Sequence, residues 1–428
     1  MLAAGAASAA DLLEIYFDAL AHDARYAAAR AQHEAGQEKV VQGRSALLPS
    51  IGAVAGSSWN DEKVRPRDAP DTTKARYNSN SYALQLTAPL FRPQNWLQYK
   101  EGALQTELAD SAFGQETQAL ILRTAEAYFK VLNARDALAA IVQLRTAAGE
   151  QLELARTSFQ VGTVTVTDVH EAQSRFDLAS AQEIAARNTL DVAREALARI
   201  VGHAPDELAG LKSGVTLPGP KPDDIAAWVD AAEKSDFGVQ AQTLTREITA
   251  RAYERERAGH LFSVDLVASY GRTNRPADSI DRDDSGTVGV QLDVPLYQGG
   301  MVSSRTREAA ALRIKAESDL EEARRAAALA AREAYLGVTS GMAQVRALEA
   351  ARVSSASALD ANRLGYKVGV RINIDVLNAQ SQLADAVQQL ARARYDTLLA
   401  QLRLKAAVGA LGEEDVRAIN ALLETERP

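Results

Sequence analysis

Gln85-Leu86-Thr87-Ala88-Pro89-Leu90-Phe91 returns 206 residues later as Gln291-Leu292-Asp293-Val294-Pro295-Leu296-Tyr297. Working outward, Glu126-Ala127-Tyr128 returns as Glu333-Ala334-Tyr335, and Phe159-Gln160-Val161-Gly162 as Tyr366-Lys367-Val368-Gly369, both 207 residues on. Asp168-Val169 and Ala172-Gln173-Ser174 match Asp375-Val376 and Ala379-Gln380-Ser381 at the same spacing. Residues 81–202 are therefore written again at 286–409 with a single residue of slippage. Solenoids repeat every ~20–50 residues, so a period this long marks one duplicated structural unit, its copies related by a pseudo-twofold within the protomer.

Hydrophobic residues make up 46% of the 428, yet only 5% are aromatic, so the apolar content is mostly alanine and leucine, the composition of packed helices. A net charge of −8 argues against a nucleic-acid partner, because binding a phosphate backbone needs a concentrated basic face. With no cysteine, the chain has no disulfide, no thiolate chemistry and no cysteine for lipid attachment. It also lacks an unbroken apolar run of the ~18–20 residues a spanning helix needs, so any membrane insertion must be by strands. Met1 to Ala10 reads as the tail of a secretory signal, Ala7-Ser8-Ala9 fitting the cleavage pattern, although no basic residue precedes Arg25.

Two kinds of segment alternate. Gly286 to Leu296 places Val288, Val290, Leu292 and Val294 on one face and Thr287, Gly289, Gln291 and Asp293 on the other, the period-two pattern of a strand. Its repeat partner sets Tyr82, Leu84, Leu86 and Ala88 against Ser81, Ala83, Gln85 and Thr87. An alternating strand precedes each, around Phe262–Tyr270 and Ser50–Gly56, joined through polar segments at Arg272–Ser285 and Asn60–Asn80 that read as loops. Four strands of about ten residues result, each long enough to cross a bilayer when tilted. The other kind is helical. Leu312, Ala316, Leu320, Ala323, Ala327, Ala330, Ala334 and Val338 follow a three-or-four spacing, a coiled-coil-like seam with small knobs. Ser303–Tyr366 reads as an unbroken rod of roughly 90 Å, with a counterpart at Trp96–Phe159. Each rod ends at a Val-Gly turn, Val161-Gly162 or Val368-Gly369, and returns as a helix at about 166–201 or 372–408.

A four-stranded sheet has two unpaired edges, and inside a bilayer each unsatisfied backbone group costs several kcal/mol. Closed membrane barrels begin at about eight strands, so at least two chains must combine, and three give twelve strands.

Val294-Pro295-Leu296-Tyr297-Gln298-Gly299-Gly300, the tip from Gly365 to Leu377 and its counterpart from Phe159 to Val169 resemble the TolC family of outer-membrane channel-tunnels, in motif order and across nearly the whole chain. The resemblance implies an α+β membrane protein: a homotrimer with a twelve-stranded β-barrel, four strands per chain, continued by a long α-helical periplasmic tunnel, with an internal two-fold structural repeat. The expected organisation is a signal-peptide remnant at 1–10, a first repeat at 11–204 (strand pair about 48–91, helical hairpin about 96–202) and an inter-repeat equatorial segment at 205–235. A second repeat follows at 236–410 (strand pair about 261–297, hairpin about 303–409), then a C-terminal equatorial segment at 411–428.

The function implied is a passive exit duct of efflux or type I secretion systems, localised to the outer membrane and reaching into the periplasm. Its partners are a periplasmic adaptor and, indirectly, an inner-membrane transporter. By matching motifs, Tyr366 and Arg371 sit on the inner helix pair of a periplasmic gate and Thr167 and Asp168 on the outer pair. Asp375 is the lumenal carboxylate of an acidic ring, with Asn378 where the family often has a second acid. Another reading of Asp375 is a helix N-terminal carboxylate favoured by the macrodipole. Val161, Gly162, Val368 and Gly369 are the tips where adaptors meet the family. No cofactor or metal is implied.

Asp281–Gly286 brushes against a calcium loop but has Leu292 where a bidentate Glu belongs. The five histidines form no zinc set, and nucleophile elbows and phosphate loops are missing, so an enzyme is not expected. Trp59 and Trp96 flank strands and suit an interfacial aromatic belt. The competing class is a soluble periplasmic coiled-coil scaffold without a pore, which accounts for the seams but not for the strands.

Overall fold

The computed structural model describes residues 9–64, 72–205, 207–212, 214–274 and 282–424. In chain order come α1 (Leu12–His22), α2 (Ala24–Ser45), β1 (Ser50–Val64), β2 (Thr73–Phe91), α3 (Pro93–Gln160), α4 (Val166–Val201), α5 (Ile225–Ser235), α6 (Phe237–Ala258), β3 (Ser263–Asn274), β4 (Arg282–Asp293), α7 (Met301–Lys367), α8 (Asn373–Ala407) and α9 (Glu413–Asn420). The duplicated pattern is visible directly: two strands, a helix of 68 or 67 residues, a Gly turn and a returning helix of 36 or 35. The signal-remnant reading falls largely on residues 1–8, outside the described residues.

The chain divides into two compact units. One, Gln32–Asp110 with Ala241–Glu321, holds the sheet and the helical segments that flank it in sequence. The sheet is antiparallel in the order β1-β2-β3-β4, so β2 and β3, one strand from each repeat, pair at its centre, and β1 and β4 are its edges. The strands are longer than expected from hydropathy. β1 reaches Val64 and β2 starts at Thr73, so much of the presumed 60–80 loop is ladder, with Asn60 opposite Tyr77, Asp61 opposite Arg76 and Lys63 opposite Lys74. Likewise Arg282–Ser285, read as loop, belongs to β4. Once both faces of a strand are polar, apolar alternation stops reporting it, while the backbone hydrogen bonds continue. Asp281 lies outside the described residues, and Asp284 of the calcium-like stretch is engaged by Arg272 and Arg282.

Register sorts the sheet into two faces. Ile51, Leu84, Leu86, Leu266, Tyr270, Val288, Val290 and Leu292 share one, and Ser50, Gln85, Thr87, Asp265, Ser269, Thr287 and Gln291 the other. Ile51, Val288, Val290 and Leu292 are all at least 60% exposed, an apolar face left open by the described residues. On the polar face Asp265 is buried and accepts two hydrogen bonds from Arg92, at 2.7 and 2.5 Å. Helix α2 lies against α3 with almost no side chain between: a Cβ at Gly36 would stand 2.3 Å from that of Ala109, and one at Gly102 2.5 Å from the Lys39 carbonyl oxygen.

The other unit comprises Met1–Ala31, Ser111–Gln240 and Glu322–Pro428. Its core gathers Leu12 and Ile15 of α1, Leu120, Tyr128, Phe129 and Leu132 of α3, Leu197 of α4, Leu398 and Leu402 of α8, and Ile419 of α9. Tyr128 donates to the carbonyl of Ala209 at 2.7 Å, and Phe129 stacks on Tyr395, whose hydroxyl donates to Asp136 at 2.6 Å. The segments before α5 and after α9 meet: Leu211 bridges Leu423, and the Glu424 amide donates to Gly210 at 2.8 Å.

Candidate functional site at the helix-hairpin tips

Both hairpins of this second unit turn in the same way. At the end of α3, Gly162 takes φ +77°, its amide donates to the Phe159 carbonyl at 2.9 Å, and the Thr163 amide donates to Ser158 at 2.9 Å. At the end of α7, Gly369 takes φ +79°, its amide donates to Tyr366 at 3.1 Å, and the Val370 amide to Gly365 at 2.9 Å. These paired bonds are the Schellman closure, which needs a left-handed residue that glycine supplies without strain. Val161 and Val368 stand beside these glycines, 70% and 63% exposed, with Val370 and Ile372 also in the open.

The returning helices begin differently. Thr165 caps α4: its hydroxyl and amide donate to Asp168 at 2.8 Å each, and the Asp168 amide donates to the Thr165 hydroxyl at 3.3 Å. This is a complete capping box with the acid at the third helical position. In the second repeat Ile372 stands where Thr165 stands, so no side-chain oxygen caps α8. Only a long bond of 3.5 Å runs from the Ile372 amide to Asp375. The Asp375 carboxylate turns instead toward Arg371, 3.6 Å away. Asp168 and Asp375 thus both sit at helix N-termini, as the macrodipole favours, but only Asp168 is fully occupied there.

Arg371 packs over Gly365, where a Cβ would meet its Cγ at 2.7 Å. Tyr366 leans on the apolar cluster of Leu359, Val376 and Ala379. Its phenol pKa is raised above 10.0, first by burial and then by the nearby Asp168 charge, and a hydrogen bond with Ser158 pulls it back down. Thr167 is exposed on α4. The structure therefore brings Tyr366 near Asp168 and Arg371 to Asp375; within one chain it does not pair Arg371 with Asp168.

Two residues that sequence reasoning missed join α4 to α8. Buried Asn373 donates to the Asp168 carbonyl at 3.4 Å, and Arg175 donates to Asn378 at 2.9 Å. Asn378 therefore carries a partner of its own. The signal available in the sequence was the asymmetry of the repeats, which set Arg175 against Gln382 and Asn373 against Val166. Apolar contacts of Leu152, Ala155, Ala172 and Leu377 hold the two hairpins together beneath these bonds. Arg371 is exposed and Asp375 half-buried, so their contact is open to solvent and weak.

A family model described as outer membrane efflux protein matches residues 15–203 and 228–410. Outer membrane protein TolC of Vibrio cholerae is 34% identical, over 98% of this chain and 95% of its own length. Alkaline protease secretion protein AprF of Pseudomonas aeruginosa is 33% identical, over 97% of this chain and 88% of its own. Among solved structures, the Campylobacter jejuni CmeC outer membrane channel superposes with a TM-score of 0.84 at 14% identity, over 99% of this chain and 95% of the other, a likeness of fold.

Proposed function

This chain belongs to the outer membrane efflux protein family, and on that premise we propose that it is an outer-membrane exit duct for tripartite efflux or type I protein secretion, passive in itself and gated at its periplasmic end. The observation that carries the reading is the sheet: four antiparallel strands with two open edges and an outward apolar face. Backbone groups at those edges need partners within the membrane, and identical sheets from two further chains provide them, closing twelve strands into a barrel. No helix of the described residues is long and apolar enough to cross a membrane, so the strands are the segments that insert. The helices continue the pore into the periplasm, where an adaptor of the inner-membrane transporter docks on the tips at Val161, Gly162, Val368 and Gly369. The family is described as outer membrane efflux protein, which supports a role in transport rather than catalysis.

At the mouth, Tyr366 and Arg371 of one hairpin and Thr167 and Asp168 of the other form the gate, and three copies of Asp375 face each other across the axis. Exposed pairs of this kind contribute at most about 1 kcal/mol each. Three symmetric copies bias a two-state mouth by a few kcal/mol, enough to keep it constricted, though not sealed, until a partner engages. Three carboxylates on one axis also repel each other and favour a cation between them. A soluble scaffold does not account for Ile51, Leu84, Val288 and Leu292 on one exposed sheet face. Purified protein added to a planar bilayer is expected to conduct as a water-filled pore and to resist carbonate extraction from membranes; release by carbonate without conductance would favour the scaffold.

A further inference from the structure

Every lysine and arginine of the described strands falls on one face of the sheet. Register places Lys63 of β1, Lys74 and Arg76 of β2, Arg272 of β3 and Arg282 of β4 on the face that carries Ile51, Leu84, Leu266 and Val290. The opposite face carries Glu62, Asp265, Asp283 and Asp293 and no basic strand residue. Solubility alone would scatter both signs over both faces.

The basic residues fall at two levels: Arg272 is paired with Tyr82 and Arg282 with Asn274, whereas Arg76, Lys74 and Lys63 lie further along β1 and β2, past Asn80. Along β3, Val264, Leu266, Ala268 and Tyr270 precede Arg272; along β4 from its other end, Leu292, Val290 and Val288 precede Asp284 and Arg282. Along β2, Leu86, Leu84 and Tyr82 give way to Arg76 and Lys74. Both sets lie toward the strand ends remote from the helices in sequence, and Lys63, Lys74 and Arg76 stand outermost. Two acids share the face, Asp61 with Arg76 at 3.1 Å and Asp284 with Arg272 and Arg282 at 2.6 and 2.5 Å. Five cations against two anions leave an excess of three positive charges on this face of the described strands.

Lys63 and Lys74 add an independent signal. They are direct cross-strand partners, and neither forms an ion pair among the described residues. Like charges facing each other across an antiparallel ladder are destabilising, and an anion lying between them reverses the sign. A phosphate suits two ammonium groups and the neighbouring guanidinium, which bind it through charge-assisted hydrogen bonds.

We propose that this girdle is a binding site for phosphorylated lipid of the outer leaflet, the acyl chains lying on the apolar band and the headgroup phosphates meeting Lys63, Lys74 and Arg76. The proposal rests on the reading of the sheet as a transmembrane barrel, whose loop ends then lie in that leaflet. The test uses the intact detergent-solubilised protein titrated with bisphosphorylated lipid A, its dephosphorylated counterpart and inorganic phosphate, following thermal unfolding. Lipid A is expected to raise the midpoint, and the other two to leave it nearly unchanged. Lys63→Gln with Lys74→Gln is expected to weaken the lipid A response by roughly thirtyfold in concentration, the effect of two basic residues at an anionic lipid surface, and Lys63→Arg with Lys74→Arg to retain it. An equal response to the dephosphorylated lipid, or an unchanged response in the glutamine variant, overturns the lipid site, whether or not the protein conducts. Phosphate-dependent binding without conductance in bilayers of phosphatidylethanolamine would instead overturn the duct and leave the lipid site standing.

Discussion

The two hairpin tips are built on one plan and differ in what their carboxylates do. Both close with a positive-φ glycine and place an aspartate at the third position of the returning helix. In the first tip Thr165 holds Asp168 in a capping box, so that carboxylate serves local structure. In the second, Ile372 has no oxygen to offer, and Asp375 contacts Arg371 across one turn. Three neighbouring changes complete the conversion: Gly365 in place of Ser158 makes room for the arginine, Tyr366 replaces Phe159, and Arg371 replaces Val164. The two tips share the turn and differ in the charge, which is why the second tip, whose carboxylate is not held in a box, is the one proposed to move.

The largest effect expected from breaking this difference comes from Arg371→Ser combined with Tyr366→Phe. Loss of about 1 kcal/mol per exposed contact in three copies shifts the closed-to-open ratio by roughly a hundredfold, and single-channel recording should show higher conductance. Unchanged conductance would mean the second tip is not the gate. Next, Asp375→Ala should weaken block by a trivalent cation about tenfold if the proposed ring of three carboxylates lies on the axis. Asp168→Ala should leave the block nearly unaltered, and equal losses in both variants would erase the distinction between the tips.

A smaller effect separates the caps. Thr165→Ala removes a hydroxyl acceptor worth about 1 kcal/mol and should speed proteolysis at the first tip, whereas Ile372→Ala should not do so through any lost cap. Ile372→Thr sharpens the contrast by supplying the missing oxygen: Asp375 is then drawn into a box, and conductance should move toward that of the gate variant. Smallest is Asn378→Asp, which converts the Arg175 contact into an exposed ion pair worth at most about 1 kcal/mol. A slight rise in cation selectivity, measured by reversal potential, is the expected outcome. A fall would show that Arg175 sets the local charge.

Much of this was legible in the residues. Alanine-rich three-and-four spacing marked α7, and the repeat carried it to α3, both to within a few residues of their ends, and Val166–Val201 matches the expected returning helix, because helix seams and Gly turns are local signals. Strand lengths were not legible where Asn60–Lys63 and Tyr77–Lys74 are polar on both faces, since the ladder there is held by backbone alone. Nor was the central β2–β3 pairing, which joins residues nearly two hundred positions apart. At the tips, motif position located Tyr366, Arg371 and Asp375, but the partner of each carboxylate depended on one side chain, Thr165 or Ile372. Arg175 and Asn373 escaped notice because each contacts another hairpin, a relation that spacing along one helix does not encode.

The mass of the detergent-purified complex tests the central claim most directly. A sheet with two open edges that closes only by borrowing strands from its copies predicts a particle of three 45.9 kDa chains once bound detergent is subtracted. A stable particle of one chain would contradict it.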